Sequence, residues 1–316
     1  MPAAGATRME AIRKAVKAFN RQRPEVERAM YMGIARTLLP FALLVAAIAI
    51  LALVEGAPGI SLIVIALAVL IGFGLRRLIL RPVTTLKEKN REQLLPVIYA
   101  FIDEFRYVHD ETPDVMPWLK KIDIIPFDTS VHAGTITGRH DGAAFTLTET
   151  ELLAQGERHD RVLFDGTLLH FRRDGLFPGT FVAEAPGSAE DAEGEDDGGE
   201  DGEQPFYAEK GLHDIGSPAG LPDEPYRFRS TNTVVAEALV RGPLGAVLRR
   251  LGAEWRGPGF GLVLSNHDCY LLLPGRTRVF ELPAIGEDID VELDVAPMIQ
   301  EMSRFMDLIG EIRRIG

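Results

Sequence analysis

The chain has 316 residues, enough for one large domain or two ordinary ones. Its single cysteine, Cys269, excludes an intramolecular disulfide and any multi-cysteine zinc site. The formal charge is -12, but Ala189–Gln204 alone carries nine acids and no base, so the remainder is close to neutral and offers no broad basic face for nucleic acid.

The N-terminal arm places Met9, Ile12, Val16 and Phe19 at spacings of 3, 4 and 3, with Lys14 and Lys17 among the basic residues between them. That pattern reads as a basic amphipathic helix, either resting on anionic lipid or simply solvated. Thr37–Leu75 then holds one charged residue, Glu55. The charge-free runs Thr37–Val54 and Gly56–Leu75 would be roughly 27 and 30 Å long as helices, about the thickness of a bilayer core. Gly56, Pro58 and Gly59 suit a turn between them. The expected element is a transmembrane hairpin with spans at 37–54 and 56–75. Basic residues flank both ends, which predicts both termini in the cytoplasm of a bacterial inner membrane. Neither span carries a charge, so the hairpin reads as an anchor rather than a transport path.

After the hairpin the periodicity predicts a helix over Thr84–Asp110. Leu94, Ile98, Phe101, Phe105 and Val108 recur at 4, 3, 4 and 3, with Pro96 expected to kink or break it. The C-terminal residues Met298, Met302, Phe305, Ile309 and Ile312 repeat the same spacing, with Asp294 as expected cap and Pro297 in the first turn. Each stripe either packs on the domain's own sheet or forms a seam for a protein partner or a second copy. On the second alternative Leu94, Ile98, Phe101, Phe105, Met298, Met302, Phe305 and Ile309 are the partner surface.

Between these helices the pattern is one of short strands and turns. Val131–Arg139 and Ala143–Thr148 flank a hairpin turn at His140-Asp141-Gly142. Arg161–Phe164 and Thr167–Arg172 lie about Asp165-Gly166, and Asp174-Gly175 leads to Gly179–Ala185. Tyr226–Arg229 alternates as a half-buried strand should. Thr233–Ala253 reads as a helix capped by Asn232 and split at Gly242-Pro243. Strands are expected again at Gly259–Leu264, Cys269–Leu273 and Thr277–Leu282. The fold class is therefore α+β: a two-helix transmembrane hairpin, then a cytosolic domain over 80–316 with a mainly antiparallel sheet and flanking helices. Pro186–Pro225, with 13 acids and one base, is expected to be a disordered insertion. Its acids do not fit a calcium-binding loop, because Gln204 falls where the bidentate glutamate belongs.

Chemistry-bearing motifs are few. Asn266-His267-Asp268-Cys269 gathers triad-type residues, but neighbours on a strand point to opposite faces, and a turn accounts for them better. His132 and His140 could approach across their hairpin, with no third ligand in view. No phosphate loop, dinucleotide turn, serine elbow or metalloprotease helix is present, and no metal or cofactor is expected. The functional expectation is a membrane-anchored interaction or regulatory module with lipid and protein partners. The alternatives are a tethered enzyme using His132, His140 or His267, and a small oligomeric membrane assembly.

The order of parts adds one resemblance. The double span, then "VLFDGTLLHF", "YRFRSTNTVVAEALV", "CYLLLPG", "VFELP" and "DVAPMIQEMSRFMDLIGEI", resembles the bacterial membrane-protein family catalogued as domain of unknown function 3137. The likeness covers most of residues 30–315 and rests on apolar, architectural motifs. It implies a short anchor and a strand carrying Phe164 and Gly166. A helix then follows a strand, and an aromatic strand precedes a closing helix. It implies no activity and no catalytic residues. The acidic insertion departs from the family's compact pattern.

Overall fold

The computed structural model describes residues 2–54, 86–122, 127–156, 160–184, 211–215, 226–255, 260–275, 277–283 and 286–315. The chain divides into two compact units, one of Met1–Ile98 with Leu282–Ala296, the other of Tyr99–Glu281 with Pro297–Gly316.

In the first unit the basic arm and the first apolar run are not separate elements. They form one helix, α1, Pro2–Val54, which continues through Pro24. Among the described residues no helix is long and apolar enough to cross a membrane, a statement that concerns helices only. This overturns the transmembrane hairpin and, with it, the two-span placement in an inner membrane. The apolar run at 37–54 is the C-terminal third of a helix that buries Ile12 and Val16 nearer its start. Residues 56–75 lie outside the described residues. A second helix, α2, occupies residues 86–98 and buries Leu94, Leu95 and Ile98. It ends two residues past Pro96 rather than at Asp110. The Ile102 N–H bonds the Tyr99 carbonyl at 2.9 Å to close a turn, and Glu104 takes φ 54°. A left-handed residue cannot continue a right-handed helix. Phe105 and Val108 therefore lie on a strand, where their helix-like spacing is incidental.

The second unit is built on a seven-stranded antiparallel sheet. Its strands are β1 Asp103–Val108, β2 Thr129–His140, β3 Ala143–Ala154, β4 Arg161–Glu184, β5 His213–Asp214, β6 Arg227–Ser230 and β7 Gly261–Pro274. Asp141 and Gly142 have φ 48° and 79°, the two left-handed positions of a tight hairpin turn between β2 and β3. The central strand, β4, is continuous over 24 residues where three pieces were expected. Its first half pairs with β3 and its last residues with β6, while β7 runs along both parts. A strand has two edges, so β3 and β6 share one edge of β4 and β7 takes the other.

The expected turns inside β4 and β7 are irregularities within the ladder. Arg172 pairs with Asp268 and Thr180 with Ser265, so the Asp174-Gly175 region is a wide bulge. Asn266, at φ 52°, absorbs the mismatch on β7. The expected strand Thr277–Leu282 is instead a single 3-10 turn, Arg278–Phe280, that buries Phe280. The acidic insertion is described only at 211–215. There β5 pairs with β6, so that part is ordered. The rest of the insertion lies outside the described residues.

Side-chain alternation gives the sheet two apolar faces. On one, Leu152, Phe164, Leu168, Val182, Val263, Tyr270 and Leu272 pack under α3, Val115–Ile122, which contributes Val115, Met116 and Leu119. On the other, Phe181 stacks on Phe228, and the Tyr226 hydroxyl donates to the Leu248 carbonyl at 3.0 Å. Leu248 belongs to α5, Pro243–Glu254, which follows α4, Thr233–Arg241, across the expected break. Asn232 caps α4, its side chain accepting from the Val235 N–H. The C-terminal helix α6, Ala296–Arg313, lies beside α5, with Phe305 stacked on Trp255. The cap ahead of α6 is a reciprocal pair rather than Asp294 alone. Asp290 accepts from the N–H groups of Glu292 and Leu293, and Asp294 accepts from the Asp290 N–H.

Candidate functional site

On the α3-facing side of the sheet, polar side chains follow the buried pair Leu168 and Leu272. One cross-strand row reads Arg106, Thr137, Thr146, His170 and Tyr270, on β1, β2, β3, β4 and β7. In the next row Arg172 faces Asp268. His170 Nε2 lies 3.0 Å from Asp268 Oδ1, and the His170 ring stacks on Tyr270 at 4.8 Å. The Tyr270 ring is wholly buried and therefore a rigid platform. The His170 side chain keeps 21% of its area in solvent and Asp268 keeps 36%, so the pair sits on the rim between core and water.

Electrostatics at the rim are set mainly by this contact. The hydrogen bond from His170 holds the Asp268 carboxyl below its ordinary range; partial burial opposes this, while His170, Arg172 and His267 add attraction. An ionised carboxylate can only accept, so Nε2 carries the proton that lies between them. Burial, helped by the Asp268 charge, pushes the Tyr270 hydroxyl up. The arrangement holds one ring nitrogen and aims the other away from the carboxylate. It can accept or donate a hydrogen bond at a fixed position.

Sequence reasoning missed His170. It is the one polar residue in the run Thr167–Phe171 beyond the leading threonine, and nothing in its spacing distinguishes it from a satisfied core histidine. Asp268 lies in an Asn-His-Asp run whose residue types suggest a turn. Two-residue periodicity with Tyr270 would have placed both on one face.

The residues singled out from sequence are dispersed. Met298, Met302, Phe305 and Ile309 are buried in α6, and Leu94 and Ile98 are buried in α2. Phe101 and Phe105 are half-buried, with Tyr99 beside both rings. These eight residues belong to the interior or its margin, not to an open docking stripe. Of the residues read as lipid-facing, Ile12 and Val16 are buried, Met9 and Phe19 half-buried, and Lys14 and Lys17 exposed.

His132 and His140 sit eight residues apart on β2, roughly 26 Å at strand rise, so they do not converge. His132 is buried with Nε2 3.0 Å from Ser130 Oγ, while its Nδ1 has no partner. His140 lies 3.8 Å from the Asp141 carboxylate. His267 is half-buried near the Asn266 bulge. Cys269 is fully buried on the opposite face from His170, and burial pushes its thiol far up, which makes it inert. Among the described residues no group of three or more His, Cys, Asp or Glu is placed to hold a metal ion.

No known protein family matches the chain, and no curated protein does. One solved structure is similar, the crystal structure of the mycobacterial trehalose monomycolate transport factor A, TtfA. It shares 9% identity, covers 70% of this chain and 93% of its own, and superposes with a TM-score of 0.38. Similarity at that level carries no functional argument.

Proposed function

We propose that the chain is an interaction module that receives its partner on the sheet around His170. The observation that carries this reading is the state of that side chain. His170 is fixed twice, by Asp268 at 3.0 Å and by the Tyr270 ring at 4.8 Å, yet stays partly in solvent. A polar group already held in one orientation loses little entropy when a partner binds it. Arg172 is exposed beside it, and the half-buried Thr146 and Thr137 continue the polar row, so donors and acceptors line the sheet across neighbouring strands. Such a face suits contact with another surface.

The test is site-specific photo-crosslinking in cells that make the full chain. A photoreactive residue replaces Arg172, and a control replaces Val234, an exposed residue of α4. The reading expects a discrete cross-linked species from position 172 that is absent from position 234 and weakened by His170→Ala. Equal labelling at both sites, or none at 172, contradicts it.

A second reading rests on the same pair. A carboxylate on one imidazole nitrogen leaves the other free to take a proton, as in general-base dyads. That reading requires a reacting group beside His170. It is separated from the first by His170→Asn, which abolishes turnover but leaves a surface contact partly intact.

A further inference from the structure

In the first unit, residues 286–292 lie as a strap along α1, irregular up to Asp290 and π-helical from Val291. Arg13, Val16, Asn20, Arg23 and Glu27, spaced 3, 4, 3 and 4, form one line on the helix, and the strap follows that line. Arg13 Nη2 reaches Glu292 Oε1 at 2.7 Å. The Asn20 amide donates to the Ile289 carbonyl at 2.9 Å and accepts from the Ile289 N–H at 3.1 Å. Arg23 lies 3.1 Å from both Glu27 and Asp288, and Glu27 accepts from the Gly286 N–H at 2.9 Å. Ile289 is buried, as are Ile12 and Val16 on the helix.

The contact is thus mostly polar, and its charges are wet on the strap side, whereas Arg23 and Glu27 beneath it keep only 14% and 13% of their side chains exposed. The side chains of Asp288 and Glu292 are 73% and 65% exposed. Ion pairs in water are individually weak and are screened by salt. The helix is also weakened where the strap crosses. Pro24 has no N–H for the Asn20 carbonyl, so one helical bond is missing at the residue that grips Ile289. At one end of the strap Gly286 takes φ 107°; the other runs into a π-helical turn, Val291–Val295. Both are local devices that confine a change of path to this segment.

We propose that the strap is an electrostatic latch on α1. It closes at low ionic strength and opens when its charges are screened or when one of its arginines is lost, while the sheet stays folded. Shape and one isoleucine set where it docks, and charge decides whether it stays.

The test is hydrogen–deuterium exchange on the full chain at about 0.05 M and about 0.5 M sodium chloride, salt levels that span strong and weak screening. The latch predicts that amides of 286–292 exchange about tenfold faster at the higher salt, with β3 and β4 unchanged. Arg23→Gln gives the same acceleration at low salt. Arg13→Glu exposes the segment, and adding Glu292→Arg restores protection, which a misfolded variant does not do. Salt-independent exchange in 286–292 overturns the latch, since packing of Ile289 is then sufficient. Failure of the charge swap to restore protection overturns it equally. So does loss of protection in β3 and β4 together with the strap, which marks general unfolding.

Discussion

Gly166 lies so close to Leu273 on the neighbouring strand that an added Cβ would stand 2.2 Å from the Leu273 carbonyl oxygen. The residue looks like a turn glycine in sequence, but it serves the close approach of β4 and β7. Gly166→Ala must push the two strands apart or bend one of them. The expected cost is about 1–3 kcal/mol, the usual range for overpacking a tight interior. Urea midpoints of the parent and the variant measure it. A control at Gly142, where no atom lies near an added Cβ, should show only the strain of its positive φ, about 1 kcal/mol.

His132 predicts a pH dependence of folding. Burial lowers its pKa from the ordinary 6.5, and its Nδ1 has no partner to share a proton. The unfolded chain therefore binds a proton that the folded chain resists. Stability is full above pH 6.5 and falls as the pH drops below it. Denaturant midpoints at about pH 7.5 and about pH 5.5 should differ in the parent and converge in His132→Gln, which has no proton to gain. A parent midpoint that rises on acidification contradicts the assignment.

Phe305 tests whether the α6 stripe belongs to the core. It is fully buried and stacked on Trp255 at 6.2 Å. Phe305→Ala should cost about 3–5 kcal/mol and lower the melting temperature by many degrees. A residue on a partner surface would change stability little, so a near-neutral result would return the stripe to the surface.

The Asn232 cap offers a smaller, local test. Its side chain accepts from the Val235 N–H at 3.3 Å at the start of α4. Asn232→Ala should cost about 1 kcal/mol, and Asn232→Ser less, because serine can accept the same bond. Thermal melts of the three proteins order them.

How far the fold could be read from sequence depended on whether the signal was local. Asn232 as a cap, Gly242-Pro243 as a helix break and Asp141-Gly142 as a hairpin turn need only their neighbours, and each stands where expected. Gly166 and Asn266 carry the same residue-type signals. Their roles are a close approach and a bulge, which depend on a partner strand about one hundred residues away in the ladder. Residues 37–54 carry no charge. That this run continues the basic arm in one helix through Pro24 was not foreseen, because an internal proline ordinarily ends one. The candidate site was the least legible part. His170 and Asp268 meet only because β4 pairs with β7 in one register, and that register is set by the apolar residues around them.

The claim on which the functional reading stands is that Asp268 orients His170. Long-range proton–nitrogen correlation spectra of the His170 ring in the full chain test it most directly. A single Nε2–H tautomer of the neutral ring is expected, replaced by a mixture or by the Nδ1–H form in Asp268→Asn, with the sheet otherwise unchanged. A parent ring already averaged between tautomers, or one indifferent to Asp268→Asn, would contradict it.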